Sequence, residues 1–239
     1  MSEPTRGRAS PPVRPNLWAD RLASYAFAVE ASIGRNPMRY LLARRFGADD
    51  PSRALTVLFV LEPEVLAGTY IRIREDRAAG ACEVLTYLPT MARPVAVAEA
   101  LLFDCLPLTD VGYVDLMAWP HPGLRPEPPE GPSTRGYRYD RAPVLRVRED
   151  IDPERSAVAR RVLYRDGQET RRWEVAEWGR DGQETLPSRI RVTRPRTGHE
   201  TRFTRTGPAV AVPPAAFDGE PETLRDRIEE LLAPTRRPS

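Results

Sequence analysis

The sequence predicts a mainly β protein: one strongly curved antiparallel sheet, a half-barrel or barrel, with N-terminal, inserted and C-terminal helices covering or filling its concave face. Three observations predict it. Short apolar or alternating segments follow one another closely, turn signals of Gly, Pro and Asp separate them, and amphipathic helical segments are few. Eight or nine strands with so few helices must curl to bury their apolar side.

Residues 1–15 are polar and proline-rich and read as a disordered tail. A helix is expected after Asn16, because Trp18, Leu22, Tyr25, Ala26, Val29 and Ile33 recur at helical spacing; Gly34 and Pro37 end it. Strands are expected over 38–46, over 54–61 (ALTVLFVL), over 68–74, where Thr69, Ile71 and Ile73 alternate with Tyr70, Arg72 and Arg74, and over 82–88. An inserted stretch follows, with a polar turn at Thr109-Asp110 opening a short helix. Residues 120–136 hold too much Pro and Gly for regular structure and read as a long loop. Strands resume over 143–148, 156–164, 171–178, 188–194 and 200–205. The hexapeptide RDGQET occurs at 165–170 and again at 180–185, each copy supplying the Asp-Gly of a tight hairpin turn. Trp173 with Val175, and Ile190 with Val192, share a face, and the arginines fall on the other. Residues 222–232 form a short amphipathic helix.

All of this fits one domain over 16–233, with a second tail at 234–239. A net charge of +2 gives no case for nucleic acid as a partner, although every basic residue is arginine. No run of 18 apolar residues exists, so no integral membrane contact is expected, and the N-terminus lacks the apolar core of a secretory signal, so the expected location is cytoplasmic. Cys82 and Cys105 read as two reduced thiols. Asp104, Asp110 and Asp115 could pair for acid–base work, but as turn and cap residues they have a simpler explanation. His121 and His199 lie far in sequence from the cysteines, so no metal site and no cofactor are expected. No serine sits in a nucleophile-elbow context.

Gly68-Thr69, then Tyr87-Leu88-Pro89 with Arg93, and Leu108-Thr109-Asp110-Val111-Gly112-Tyr113-Val114-Asp115-Leu116 resemble the outer-membrane lipoprotein-sorting proteins of LolA/LolB type. Gly182 to Pro187, Arg189-Ile190, Thr197-Gly198, Val212-Pro213 and Phe217 follow that family's closing hairpins in order, so the resemblance covers roughly residues 38 to 217. It implies a half-barrel whose apolar concave face is lidded by helices and holds acyl chains, with Arg93 as the lid tether. Gly112 stands where the family carries Ser or Thr, so a backbone group must cap the helix, with Asp115 at its third position.

The expected site is an apolar cavity for a hydrophobic small molecule, lined by Tyr70, Tyr87, Met91, Phe103, Leu106, Tyr113, Met117, Trp119 and Trp173. With no export signal, the first functional reading is a cofactor-free cyclase that folds an extended polyketide or polyether intermediate, as in antibiotic biosynthesis. Catalysis of that kind holds a reactive conformer, with Tyr113 or Tyr87 donating a hydrogen bond. The alternative is a non-catalytic carrier or sensor of lipids or acyl chains. A third reading, an interaction module using the proline-rich loop, leaves the cavity idle.

Overall fold

A computed structural model describes residues 13–34, 36–106, 109–141, 144–179 and 184–233. In chain order the strands are β1 Ser24–Ile33, β2 Asn36–Phe46, β3 Arg53–Glu62, β4 Tyr70–Asp76, β5 Ala81–Tyr87, β6 Val95–Ala96, β7 Arg125–Glu127, β8 Thr134–Tyr139, β9 Leu145–Asp152, β10 Ala157–Arg165, β11 Gln168–Trp178, β12 Pro187–Arg194, β13 His199–Arg205 and β14 Val210–Ala211. They form one antiparallel sheet of 14 strands, ordered β6-β5-β4-β3-β2-β1-β13-β12-β11-β10-β9-β8-β7, with β14 added beside β1. Among the described residues two helices, α1 Tyr113–Leu116 and α2 Pro221–Leu232, and a few short turns of 3-10 helix accompany the sheet.

The topology explains where the insert lies. Strands β1 to β6 run outward to one edge of the sheet, and β7 to β13 run back from the other edge to pair with β1. Residues 97–124 therefore connect the two edges, and the short route between the edges of a curved sheet crosses its hollow. One buried cluster confirms this: it joins residues of strands across the whole sheet, such as Phe27, Leu42, Leu58, Ile73, Tyr139, Val147 and Trp173, to Leu102, Leu106, Tyr113 and Met117 of the insert. Only a concave face brings so many strands together around one segment.

A second cluster uses the opposite phase of β1 to β4, including Ala26, Leu41, Ala43, Val57, Phe59 and Tyr70, and packs against Phe217, Leu224 and Ile228. The C-terminal helix thus covers the convex face, not the concave one expected from the sequence. Burial on both faces is why the third strand reads as an unbroken apolar run.

The helix expected after Asn16 is not formed; most of that segment is β1. Tyr25, Phe27, Val29, Ala31 and Ile33 also alternate, and the aromatic and β-branched residues suit a strand between two covered faces. Of the expected N-terminal tail, residues 1–12 lie outside the described residues, as does the tail at 234–239. Val13 packs on the core, and the Arg14 N–H donates to the Ser156 carbonyl at 2.8 Å. The expected loop at 120–136 contains β7 and the start of β8.

The first Asp-Gly hairpin turn is formed between β10 and β11, with Asp166 at φ 51° and Gly167 at φ 78°, both left-handed as a two-residue hairpin requires. In the second copy, residues 180–183 are outside the described set. The sheet does not close. Its two edges are short: β6 has two residues and follows Pro94, and β7 has three with Pro126 in the middle. Among the described residues no helix is long and apolar enough to cross a membrane.

Candidate functional site

A one-turn helix such as α1 leaves most of its backbone groups without internal partners, so its stability has to come from side chains around it. At the N-terminal end the Gly112 N–H donates to Asp115 Oδ2 at 2.8 Å, and the Asp115 N–H donates to the Gly112 carbonyl at 3.0 Å, the backbone cap that the sequence implied. At the other end three carbonyls are taken up in turn. Arg161 Nη1 donates to Val114 O at 2.9 Å, Asn16 Nδ2 donates to Asp115 O at 2.7 Å, and an Arg44 guanidinium nitrogen donates to Leu116 O. Beyond the helix, the N–H groups of Ala118 and Trp119 donate to the Glu75 carboxylate at 2.9 and 3.1 Å. Burial raises the pKa of Glu75, with Arg44 acting in the opposite direction.

Charge is concentrated under this helix. Asp115 is 2% exposed and pairs with Arg161 at 3.4 Å and Arg171 at 3.1 Å. Arg161 also holds Glu149 at 2.7 Å, and Arg171 donates to the Phe103 carbonyl at 2.9 Å. Burial works against the charge on Arg161, yet Glu149 and Asp115 outweigh it and hold its pKa above the usual value. Gly112 belongs to this arrangement: a β-carbon there would lie 2.2 Å from an Arg171 nitrogen. Further along the insert, Thr201 donates to Asp110 Oδ2 at 2.7 Å. The insert is therefore pinned to the sheet by polar contacts through its own backbone and two buried aspartates, Asp110 and Asp115.

Beside this network is an apolar cavity of about 60 Å³. Leu106, Val111 and Leu116 of the insert form one side, and Val29, Leu42, Ile190 and Phe203 are among the sheet residues opposite. It has room for about four water-sized groups. Tyr40 is also in the wall; its hydroxyl donates to Met38 Sδ at 3.0 Å, and burial pushes its pKa up.

The expected lining residues divide. Leu106 and Trp173 are in the cavity wall. Phe103, Tyr113, Met117 and Trp119 are buried in the same concave core but do not line the cavity; Phe103 packs on Tyr139 with ring centres 4.9 Å apart. Tyr70 and Tyr87 stack on each other at 5.2 Å on the convex side, beside the cluster that α2 covers. Met91 is half-buried in the loop after β5, and Arg93, the expected tether, is exposed. The arginines that grip the insert are Arg44, Arg161 and Arg171, which were assigned to the outer face or passed over. Their signal was strand phase: Arg44 lies two residues after Leu42, and Arg171 two before Trp173, so both face inward. Cys82 and Cys105 are free thiols, and burial pushes Cys82 up to about 12. Among the described residues no cluster of His, Cys, Asp and Glu could hold a metal ion.

No protein-family model matches the chain, and no curated protein does. Solved structures do. A DUF1329 family protein from Desulfovibrio piger aligns with a TM-score of 0.65 at 17% identity, over 86% of this chain and 92% of that one. A putative outer membrane lipoprotein-sorting protein domain from Vibrio parahaemolyticus aligns with a TM-score of 0.63 at 12% identity, over 82% and 89%. The fold is that of the lipoprotein-sorting proteins. A LolA superfamily protein from Nitrosomonas europaea agrees, with a TM-score of 0.55 at 11% identity over 84% of this chain and 91% of that one. Identities this low show a shared fold alone. In this chain the curved sheet and the edge-to-edge insert are the parts that wall the cavity.

Proposed function

We propose that this protein binds the hydrocarbon part of an extended hydrophobic molecule, a lipid or acyl chain, between the concave face and the insert, and carries it unchanged. The observation that supports this is the apolar cavity walled on one side by a segment that is pinned rather than woven into the sheet. The shared fold with a putative outer membrane lipoprotein-sorting domain points the same way. Each methylene transferred from water into such a space contributes about 0.8 kcal/mol. At about 60 Å³ the cavity is too small for a long chain, so binding requires the insert to move outward. A cyclase would hold its substrate in the same place, but Tyr113 and Tyr87 stand outside the cavity wall, which favours carriage over turnover.

The test is a titration of the lipid-stripped protein with a long-chain fatty acid brominated near its end. Saturable quenching of tryptophan fluorescence is expected, and Trp173→Phe should remove most of the quenched signal. Val29→Phe, which fills the cavity from a half-buried wall position, should abolish the quenching while the protein stays folded. Quenching that persists in both variants would place the ligand elsewhere.

A further inference from the structure

One charged side chain forms part of the cavity wall away from the ionic network beneath α1. Strand alternation on β13 turns Thr201, Phe203 and Arg205 to the concave face. Thr201 is bonded to Asp110 of the insert, Phe203 is in the cavity wall, and Arg205 stands four residues, roughly 13 Å, further along the strand. There it completes the wall beside Pro187 and Ser188. Its side chain is 7% exposed, whereas its acidic partner Glu184 is 42% exposed. Its other contacts are the carbonyls of Gly207 at 2.6 Å and Pro187 at 3.3 Å. Gly179 makes room for this pair, since a β-carbon there would lie 2.3 Å from Glu184 Oε2.

We propose that Arg205 is the headgroup site of the cavity, and that the ligand is a single-chain amphiphile with an anionic oxygen head, a carboxylate or a phosphate. This rests on the reading of the cavity as an acyl-chain site. The head replaces the Glu184 carboxylate on Arg205, and the tail runs past Phe203 and Ile190 toward Leu106 and Trp173. The guanidinium fork matches either head in two-point fashion. It is neutralised in both states, by Glu184 when the cavity is empty and by the head when it is filled, so no buried charge is left alone. Glu184 is exposed enough to move into water when displaced. Asp115, the other charged residue in the wall, is committed to Arg161 and Arg171 and has no donor to offer an anion, which fixes the direction of the chain.

The experiment compares three probes with the same brominated chain, a fatty acid, its methyl ester and the alkyl phosphate, by tryptophan quenching in the wild type, Arg205→Leu and Glu184→Gln. In the wild type an anionic probe should bind about ten- to a hundredfold more tightly than the ester, the difference a hydrogen-bonded charge supplies. The ranking of acid against phosphate identifies the head. Arg205→Leu should bring the preferred anion down to the level of the ester, and Glu184→Gln should widen its lead by removing the internal competitor. Equal binding of acid, phosphate and ester in the wild type, or no change in Glu184→Gln, overturns the headgroup site and leaves the acyl-chain site standing. No saturable quenching by any probe removes the acyl-chain reading itself. Should Arg205→Leu fail to fold, Glu184→Gln at its exposed position carries the test.

Discussion

Asp115→Asn is the substitution on which the account of the insert depends most. Asparagine keeps the shape and still accepts the Gly112 N–H, so the change isolates the charge. Asp115 is 2% exposed, and among the described residues it is the one carboxylate paired with Arg171, itself 5% exposed. Removing one member of a buried pair leaves the other uncompensated and costs about 3–5 kcal/mol. For a chain of this size each kcal/mol lowers Tm by about 2–4 °C, so the fall should lie between about 6 and 20 °C. The control is Asp104→Ala, which breaks a pair with Arg165 at 2.9 Å that also ties the insert to the sheet but is 46% and 37% exposed. An exposed pair contributes about 0–1 kcal/mol. Urea denaturation followed by circular dichroism measures both, and hydrogen exchange shows where the loss falls. In Asp115→Asn the amides of residues 111–119 should exchange faster than in the wild type while β9 to β12 stay protected. A loss below about 1 kcal/mol, or one equal to that of the control, would refute the view that a buried charge holds the insert down.

Gly112→Ala should destabilise by about 1–3 kcal/mol in a thermal melt, because the new methyl group meets the Arg171 guanidinium and not because of backbone strain. His121 is a pH-sensitive element. It is 6% exposed and accepts the Gly123 N–H on Nδ1 at 3.1 Å, and burial first of all lowers its pKa from 6.5, with Glu99 opposing. The folded protein therefore keeps it neutral while the unfolded chain takes a proton near pH 6.5. Stability is full above that pH and falls as pH drops below it, by up to about 1.4 kcal/mol per unit. His121→Asn, which keeps an acceptor, should flatten that slope. With only two histidines, NMR titration of the imidazoles reads the shift directly.

Most of the strands were legible because their turns are explicit: Asp-Gly at 166–167 and the Gly and Pro breaks elsewhere fix boundaries to within a few residues. The first strand was not, because Trp18, Leu22, Tyr25 and Val29 fit a helical stripe while Tyr25, Phe27, Val29 and Ala31 fit a strand. A segment covered on both faces lacks the polar beat that separates the two. The site was legible in part for a similar reason. The sequence placed Tyr70 and Ile71 on opposite faces, as the structure does, but nothing local says which face is the hollow. That depends on the curvature of the whole sheet and on an insert that joins its edges. The buried arginines were hidden by their charge: Arg44 and Arg171 keep inward phase, and only the carbonyls and carboxylates brought by the insert, distant in sequence, make that burial tolerable.

The unclosed sheet has a consequence for behaviour at high concentration. Each open edge offers a row of free backbone groups to a strand from another molecule, the usual route to ordered aggregation. One edge here ends in β6, two residues long with Pro94 just before it, and the other in β7, where Pro126 withholds its amide. Both short end strands are poor templates for a further strand. An unclosed sheet thus keeps room for its insert to shift while its short, proline-marked ends limit strand addition by other copies.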